Sequence, residues 1–152
     1  RLASGVAVIR VGAATEVEML EKKHRIDDAL EAVRSAQEEG IVAGGGTALI
    51  RATDSLFIET SSEEQSLGAK IILEAIEEPL RQMAKNADKS PDIIVDKVRQ
   101  AGQEKGYNFM TDELVNMLDS GIVDPAKVTR CALQNAVSVA STLITTSHAI
   151  VS

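Results

Sequence analysis

The glycines and carboxylates of this chain have the types and spacing that chemistry could use. Ile41-Val42-Ala43-Gly44-Gly45-Gly46 is a glycine-rich turn, and a helix starts after it near Thr47. Backbone N–H groups at such a turn, with a helix N-terminus behind them, approach a nucleotide closely. A tight connection between two helices uses the same glycines and is the simpler reading of the turn alone. A dinucleotide fingerprint is disfavoured, because a helix and not a strand precedes the glycines. Asp27 and Asp28 are neighbours on a charged helix and point roughly 100° apart. By charge pattern alone both are solvated. Asp124 precedes Pro125 at a helix start, which makes it an N-cap worth about 1 kcal/mol. His24 and His148 have no partners with metal or triad spacing. Cys131 stands alone, and Ser138, Ser141 and Thr142 have no base nearby in sequence.

The elements that must position these residues read as helices. Val6 to Val11 is β-branched and apolar and predicts a short strand, stopped by Gly12 and lacking a partner. Thr15 and Glu18 fit a capping box, and no Gly or Pro interrupts the chain until Gly40. That predicts a helix of roughly 24 residues, near 36 Å long. Its charged first half projects and its apolar second half is buried. A second helix is expected from Thr47 to about Phe57. A third starts after Ser61 and Ser62 and is kinked at Pro79. A shorter one is capped at Ser90-Pro91 and ends at Gly102. Tyr107-Asn108-Phe109 suits half of a small hairpin, with Tyr107, Phe109 and Met110 packing in an aromatic-poor core. Thr111 is expected to cap a short helix that Gly121 stops. The segment from about 126 to 144 is apolar nearly all round and predicts the central buried helix, with Cys131 as a small core residue. A short strand is expected from about 144 to 151.

The whole chain fits one modest core. It has 152 residues, 44% hydrophobic and 26% charged, the balance of a soluble globular domain. Its net charge of −7 gives no electrostatic reason to bind nucleic acid or an anionic membrane. No apolar run approaches the roughly 18 residues that span a bilayer. One cysteine excludes an internal disulfide and a multi-cysteine metal site. The chain starts at Arg1 without a signal-peptide pattern and reads as a piece of something longer.

The ordered motifs resemble one family. Val11-Gly12-Ala13-Ala14-Thr15-Glu16, Glu21-Lys22-Lys23, Arg25-Ile26-Asp27-Asp28-Ala29-Leu30 and Gly40 to Gly46 closely resemble the group I chaperonins of the GroEL type. Pro79-Leu80-Arg81-Gln82, Gly106-Tyr107-Asn108, Gly121 to Pro125 and Val128-Thr129-Arg130 continue the likeness in order. The resemblance implies a mainly α fold: a helical equatorial-domain bundle, a long projecting intermediate-domain helix and a few short strands. Residues 1–39 correspond to an intermediate-domain segment, and residues 40–152 to the C-terminal half of the equatorial ATP-binding domain. The family's phosphate-binding Asp-Gly-Thr-Thr-Thr run, its apical domain and its Gly-rich tail have no counterpart in these residues.

The function so implied is ATP-dependent assistance of protein folding in a ring-shaped chamber. The implied cofactor is ATP with Mg²⁺, at a site that this chain only partly supplies, so the chain alone is expected to be inactive. The implied partners are other subunits in heptameric rings, a co-chaperonin and unfolded protein. The implied location is the cytoplasm of a bacterium or an organelle matrix. By resemblance, Asp28 positions the water that attacks the γ-phosphate, a step that needs an oriented water more than a strong base. Gly45 contacts nucleotide, flanked by Gly44 and Gly46. Asn108 contacts adenine, and Phe109 and Met110 stand where the family has two small residues. Asp124 hydrogen-bonds the ribose, and a carboxylate has acceptor capacity for that role and a cap together. No metal ligand is assigned to the chain. A non-catalytic helical interaction or oligomerisation module is the alternative reading.

Overall fold

The computed structural model describes residues 5–54, 56–148 and 150. The chain is mainly α-helical, with two small two-stranded sheets. Helix α1 spans Glu16–Glu39, and the Thr15 hydroxyl accepts from the Glu18 N–H at 3.2 Å. Gly40 ends it with φ +81, a conformation that favours glycine. No residue of α1 is buried, so the expected burial of its second half does not occur. Residues 6–11 also form no strand, and Val6 and Val8 are exposed. A strand needs a neighbour to take its hydrogen bonds, and none of the described residues provides one here.

Ile41-Val42-Ala43, read as part of a turn, is strand β1. It pairs antiparallel with β4, Val123–Pro125, placing Val42 opposite Asp124. Between them lie α2 (Thr47–Asp54), α3 (Glu63–Ala75), α4 (Glu78–Asn86) and α5 (Pro91–Gln100). The expected kinked helix is thus two helices. Pro79 sits in the first turn of α4 and has no N–H to offer the carbonyl of Ala75, so the chain restarts there. Ser62 caps α3 through a bond from the Gln65 N–H, whereas Ser90 precedes α5 without a side-chain cap.

The hairpin is real: β2, Lys105–Asn108, pairs antiparallel with β3, Glu113–Asn116. The helix expected after Thr111 is absent because Leu114 and Val115 are spent on that ladder. Asn116 then turns the chain, its side-chain oxygen accepting from the N–H groups of Leu118 and Asp119. Helix α6 spans Ala126–Ile144. Its expected central burial fails, since none of its residues is buried and Cys131 is only half-buried. Residues 145–148 and 150 form no strand, and the rest of the expected strand at 144–151 lies outside the described residues.

The core lies in the middle of the chain. Ile50, Leu80, Ala84, Ile94, Val95, Val98 and Tyr107 form one buried cluster, with Met83 and Phe109 packed against it. Burying each large apolar side chain contributes roughly 1.5–3 kcal/mol. Tyr107 and Phe109 meet edge to face at 5.1 Å.

Candidate functional site

A groove of about 830 Å³ is lined mainly by α3 and α6 and also by the glycine turn. Ile71, Ile72 and Ala75 of α3 face Ala132, Ala136 and Ala140 of α6 across it. Its volume suits a small-molecule ligand. Gly45, Gly46 and Asp124 are among the residues that line it.

Strand pairing brings these three together. The Gly44 N–H donates to the Ile122 carbonyl at 2.9 Å, extending the β1–β4 ladder into the turn. Gly44 is buried, and a Cβ there would lie 3.0 Å from the Ile122 oxygen. Gly45 and Gly46 have φ +63 and +71, and a Cβ on Gly46 would meet the Leu80 backbone nitrogen at 3.0 Å. The glycines are therefore fully explained as a close-packed turn, before any ligand is considered. Gly40 is held too: its carbonyl accepts from the Ala126 N–H at 3.0 Å.

Asp124 departs from its expected structural role. The N-cap of α6 is Pro125, and no side-chain cap bond is made. The capping explanation for Asp124 falls, leaving it a half-buried residue of the groove lining.

The remaining candidates lie elsewhere. Asp28 is exposed on α1 and is not among the residues lining the groove, as is Asp27. Asn108 is at the end of β2, where its side-chain oxygen accepts from the Met110 N–H at 2.9 Å. Phe109 packs on the core, and Met110 projects into solvent at 96% exposure. None of these three lines the groove. His24 and His148 are exposed, and no group of three His, Cys, Asp or Glu among the described residues has metal-binding geometry.

Two residues that sequence reasoning passed over join the hairpin to the turn. Gly106 of β2 lies against Thr47, the first residue of α2, so closely that a Cβ would stand 2.2 Å from the Thr47 Oγ1. That hydroxyl is fully buried and has no hydrogen-bond partner. No spacing rule marks this contact, because it joins residues from distant parts of the chain.

The base of α1 is fixed electrostatically to α6. Arg130 donates to both Glu39 carboxylate oxygens, at 2.6 and 3.0 Å, and Lys127 pairs with Glu38. The hydrogen bond from Arg130 holds the Glu39 carboxyl below its ordinary range, and the one to Glu38 raises Lys127.

A sequence model of the TCP-1/cpn60 chaperonin family matches residues 1–152.

Proposed function

The chain belongs to the TCP-1/cpn60 chaperonin family, and from that premise we propose that it supplies one side of an ATP site in a protein-folding machine. The observation that carries this reading is that Gly45, Gly46 and Asp124 line one groove, with β4 paired to the strand that enters the glycine turn. Gly45 and Gly46 present backbone to the groove, while the space a Cβ would take on each is filled by Met117 and Leu80. The Asp124 carboxylate, not used as a cap, offers acceptors suited to ribose hydroxyls. These residues fit the nucleoside part of ATP. They do not form a Mg²⁺ cage, and the chain contains no Asp-Gly-Thr-Thr-Thr run to hold the phosphates. Bound Mg²⁺ neutralises charge on the transferring phosphoryl group. In this reading Asn108, with Phe109 and Met110, faces the base, and Asp28 orients the attacking water.

Asp28 lies twelve residues before Gly40 on α1, a lever of about 18 Å. Rotating that lever by roughly 25° sweeps its end through about 8 Å. Hydrolysis is then gated by domain closure as well as by the carboxylate itself. Because Gly40 and the glycine turn are clamped, such a swing must strain or break the Glu38–Lys127 and Glu39–Arg130 pairs. The partners in this reading are further chaperonin subunits, a co-chaperonin and unfolded protein.

Calorimetric titration with ATP tests the site. The wild-type chain should bind, and Asp124→Ala should weaken binding by about tenfold, as expected for loss of hydrogen bonds to a charged group. The isolated 152-residue chain should hydrolyse ATP negligibly. In a chaperonin carrying these residues, Asp28→Ala should abolish hydrolysis and leave ATP binding nearly intact. Loss of both together would mean that Asp28 holds the nucleotide or the fold. One observation favours the alternative of a non-catalytic interaction module: α1, α3 and α6 bury no residue. An absence of ATP binding in the titration would select it.

A further inference from the structure

Arg51 lies in the last turn of α2, with its side chain only 13% exposed. Its Nη2 lies within hydrogen-bond reach of the carbonyl oxygens of Val98 (2.5 Å), Ala101 (3.0 Å), Gly102 (3.0 Å) and Lys105 (3.2 Å), four acceptors that share its two N–H groups. Its Nη1 donates to the Arg99 carbonyl at 3.4 Å and to Asp54 Oδ2 at 3.2 Å. Val98, Arg99 and Ala101 belong to the C-terminal end of α5, where the last carbonyls carry the negative end of the helix dipole. Gly102 to Lys105 lead directly into β2. One nearly buried cation thus gathers the end of α5 and the start of β2 onto α2, the helix that begins at the glycine turn.

We propose that Arg51 is a positioning residue that sets the Asn108 hairpin at a fixed place relative to the Gly44–Gly46 turn. Its functional meaning rests on the ATP reading above, since those two segments carry the assigned base and nucleotide contacts. The side chain matters for its shape as much as its charge. A guanidinium presents a planar fork of N–H donors, whereas an ammonium is a point charge on a flexible stem. The Nε–H is buried with no partner. The site thus tolerates an unpaired donor while the fork engages the loop. Gly106 adds the second contact between the same two segments, its missing side chain leaving room for Thr47. Together they leave the hairpin little freedom to slide along α2.

Residue-resolved hydrogen exchange on the whole 152-residue chain tests the strut. Arg51→Lys and Arg51→Met should accelerate exchange of the β2–β3 amides by about tenfold or more, as loss of charge-assisted hydrogen bonds predicts. The amides of α4, which Arg51 does not touch, should keep their rates. Uniform acceleration of both regions would mean a general loss of stability, and no change in either would mean that the fork is idle. Each result overturns the proposal. If both variants fail to fold, Asp54→Asn, which loosens the guanidinium from its carboxylate partner, should give the same pattern more weakly. Loss of the pattern there also overturns it. Titration with ATP separates the two layers. Weaker ATP binding by Arg51→Lys, alongside the local exchange change, supports positioning of the site, and unchanged binding overturns it. If the wild-type chain binds no ATP, the nucleotide reading fails, and the exchange pattern still decides whether Arg51 holds the hairpin.

Discussion

Among the described residues, every buried one lies between Gly44 and Met117, while α1, α3 and α6 contribute none. Yet the uncovered helices are the longest in the molecule, with 24, 13 and 19 residues against 8 to 10 for α2, α4 and α5. Length and burial are therefore separate achievements. A helix forms from local causes: a cap, good helix formers and no interruption. Burial needs a second surface. The short helices have one in each other, whereas α3 and α6 flank an open groove and α1 meets α6 and β4 only at its base.

The largest expected contrast comes from deleting side chains in the two regions. Leu80 is 1% exposed, and Leu80→Ala should destabilise by about 2–5 kcal/mol in urea unfolding. Val139 is 60% exposed on α6, and Val139→Ala should stay within about 0.5 kcal/mol. Equal losses would show that α6 is covered in solution and would break the comparison.

Glycine replacement should change sign between the regions. Gly106→Ala forces a Cβ to within 2.8 Å of the Met117 side chain as well as onto Thr47, and should cost about 1–3 kcal/mol. Gly68 sits in α3 with nothing within 4 Å, so Gly68→Ala should stabilise that helix by about 0.5–1 kcal/mol. Thermal unfolding of both variants checks this, and destabilisation by Gly68→Ala would reveal a close neighbour.

A smaller effect sharpens the contrast. Thr15→Ala removes the α1 cap at a cost of about 1 kcal/mol to that helix. Because α1 buries nothing, helicity by circular dichroism should fall while the urea midpoint of the core barely moves. A shifted midpoint would make α1 part of the cooperative unit.

The smallest effect is electrostatic. The bond from Arg130 lowers the Glu39 carboxyl relative to the ordinary 4.5, and the bond from Lys89 lowers Asp112 relative to 3.8. A depressed carboxyl stabilises the fold above its unfolded value and loses that contribution as pH falls through its folded value. Both contributions should be intact at neutral pH and disappear only below those ordinary values. Both pairs are solvent-exposed, so added salt should weaken them. An acid titration of Glu39→Gln against wild type, read by α1 chemical shifts, checks the first pair.

Much of this architecture was legible in the sequence, and the failures share a cause. The Thr15 cap, the Gly40 stop, the Ser62 cap and the hairpin at Tyr107 are local signals, and the structure follows them. Apolar composition misled where burial had to be inferred from it. Val6 to Val11 and the all-round apolar α6 resemble buried elements, and both are exposed. Such residues report what an element is suited to pack against, and the packing surface is set elsewhere. For the candidate site, resemblance picked out Gly45, Gly46 and Asp124, and these three are among the residues that line the groove. Local reasoning gave Asp124 a cap role that it does not have, because β4 claims its backbone before α6 begins. Arg51 left no sequence signal, since the carbonyls it serves lie 47 to 54 residues away.

The three-residue pairing of β1 with β4 also dictates an order of events. Val42 and Asp124 are 82 positions apart, and closing so long a loop from a random chain costs on the order of 4 kcal/mol in entropy. Three rungs of ladder do not meet that alone. Once the core between Gly44 and Met117 has collapsed, the remaining gap shrinks to the few residues from Met117 to Ile122, and closure becomes cheap. Asp124 therefore reaches the glycine turn late, as the last rather than the first consequence of folding. A ligand that needs Asp124 and the glycine turn together would bind only chains that have already finished their core.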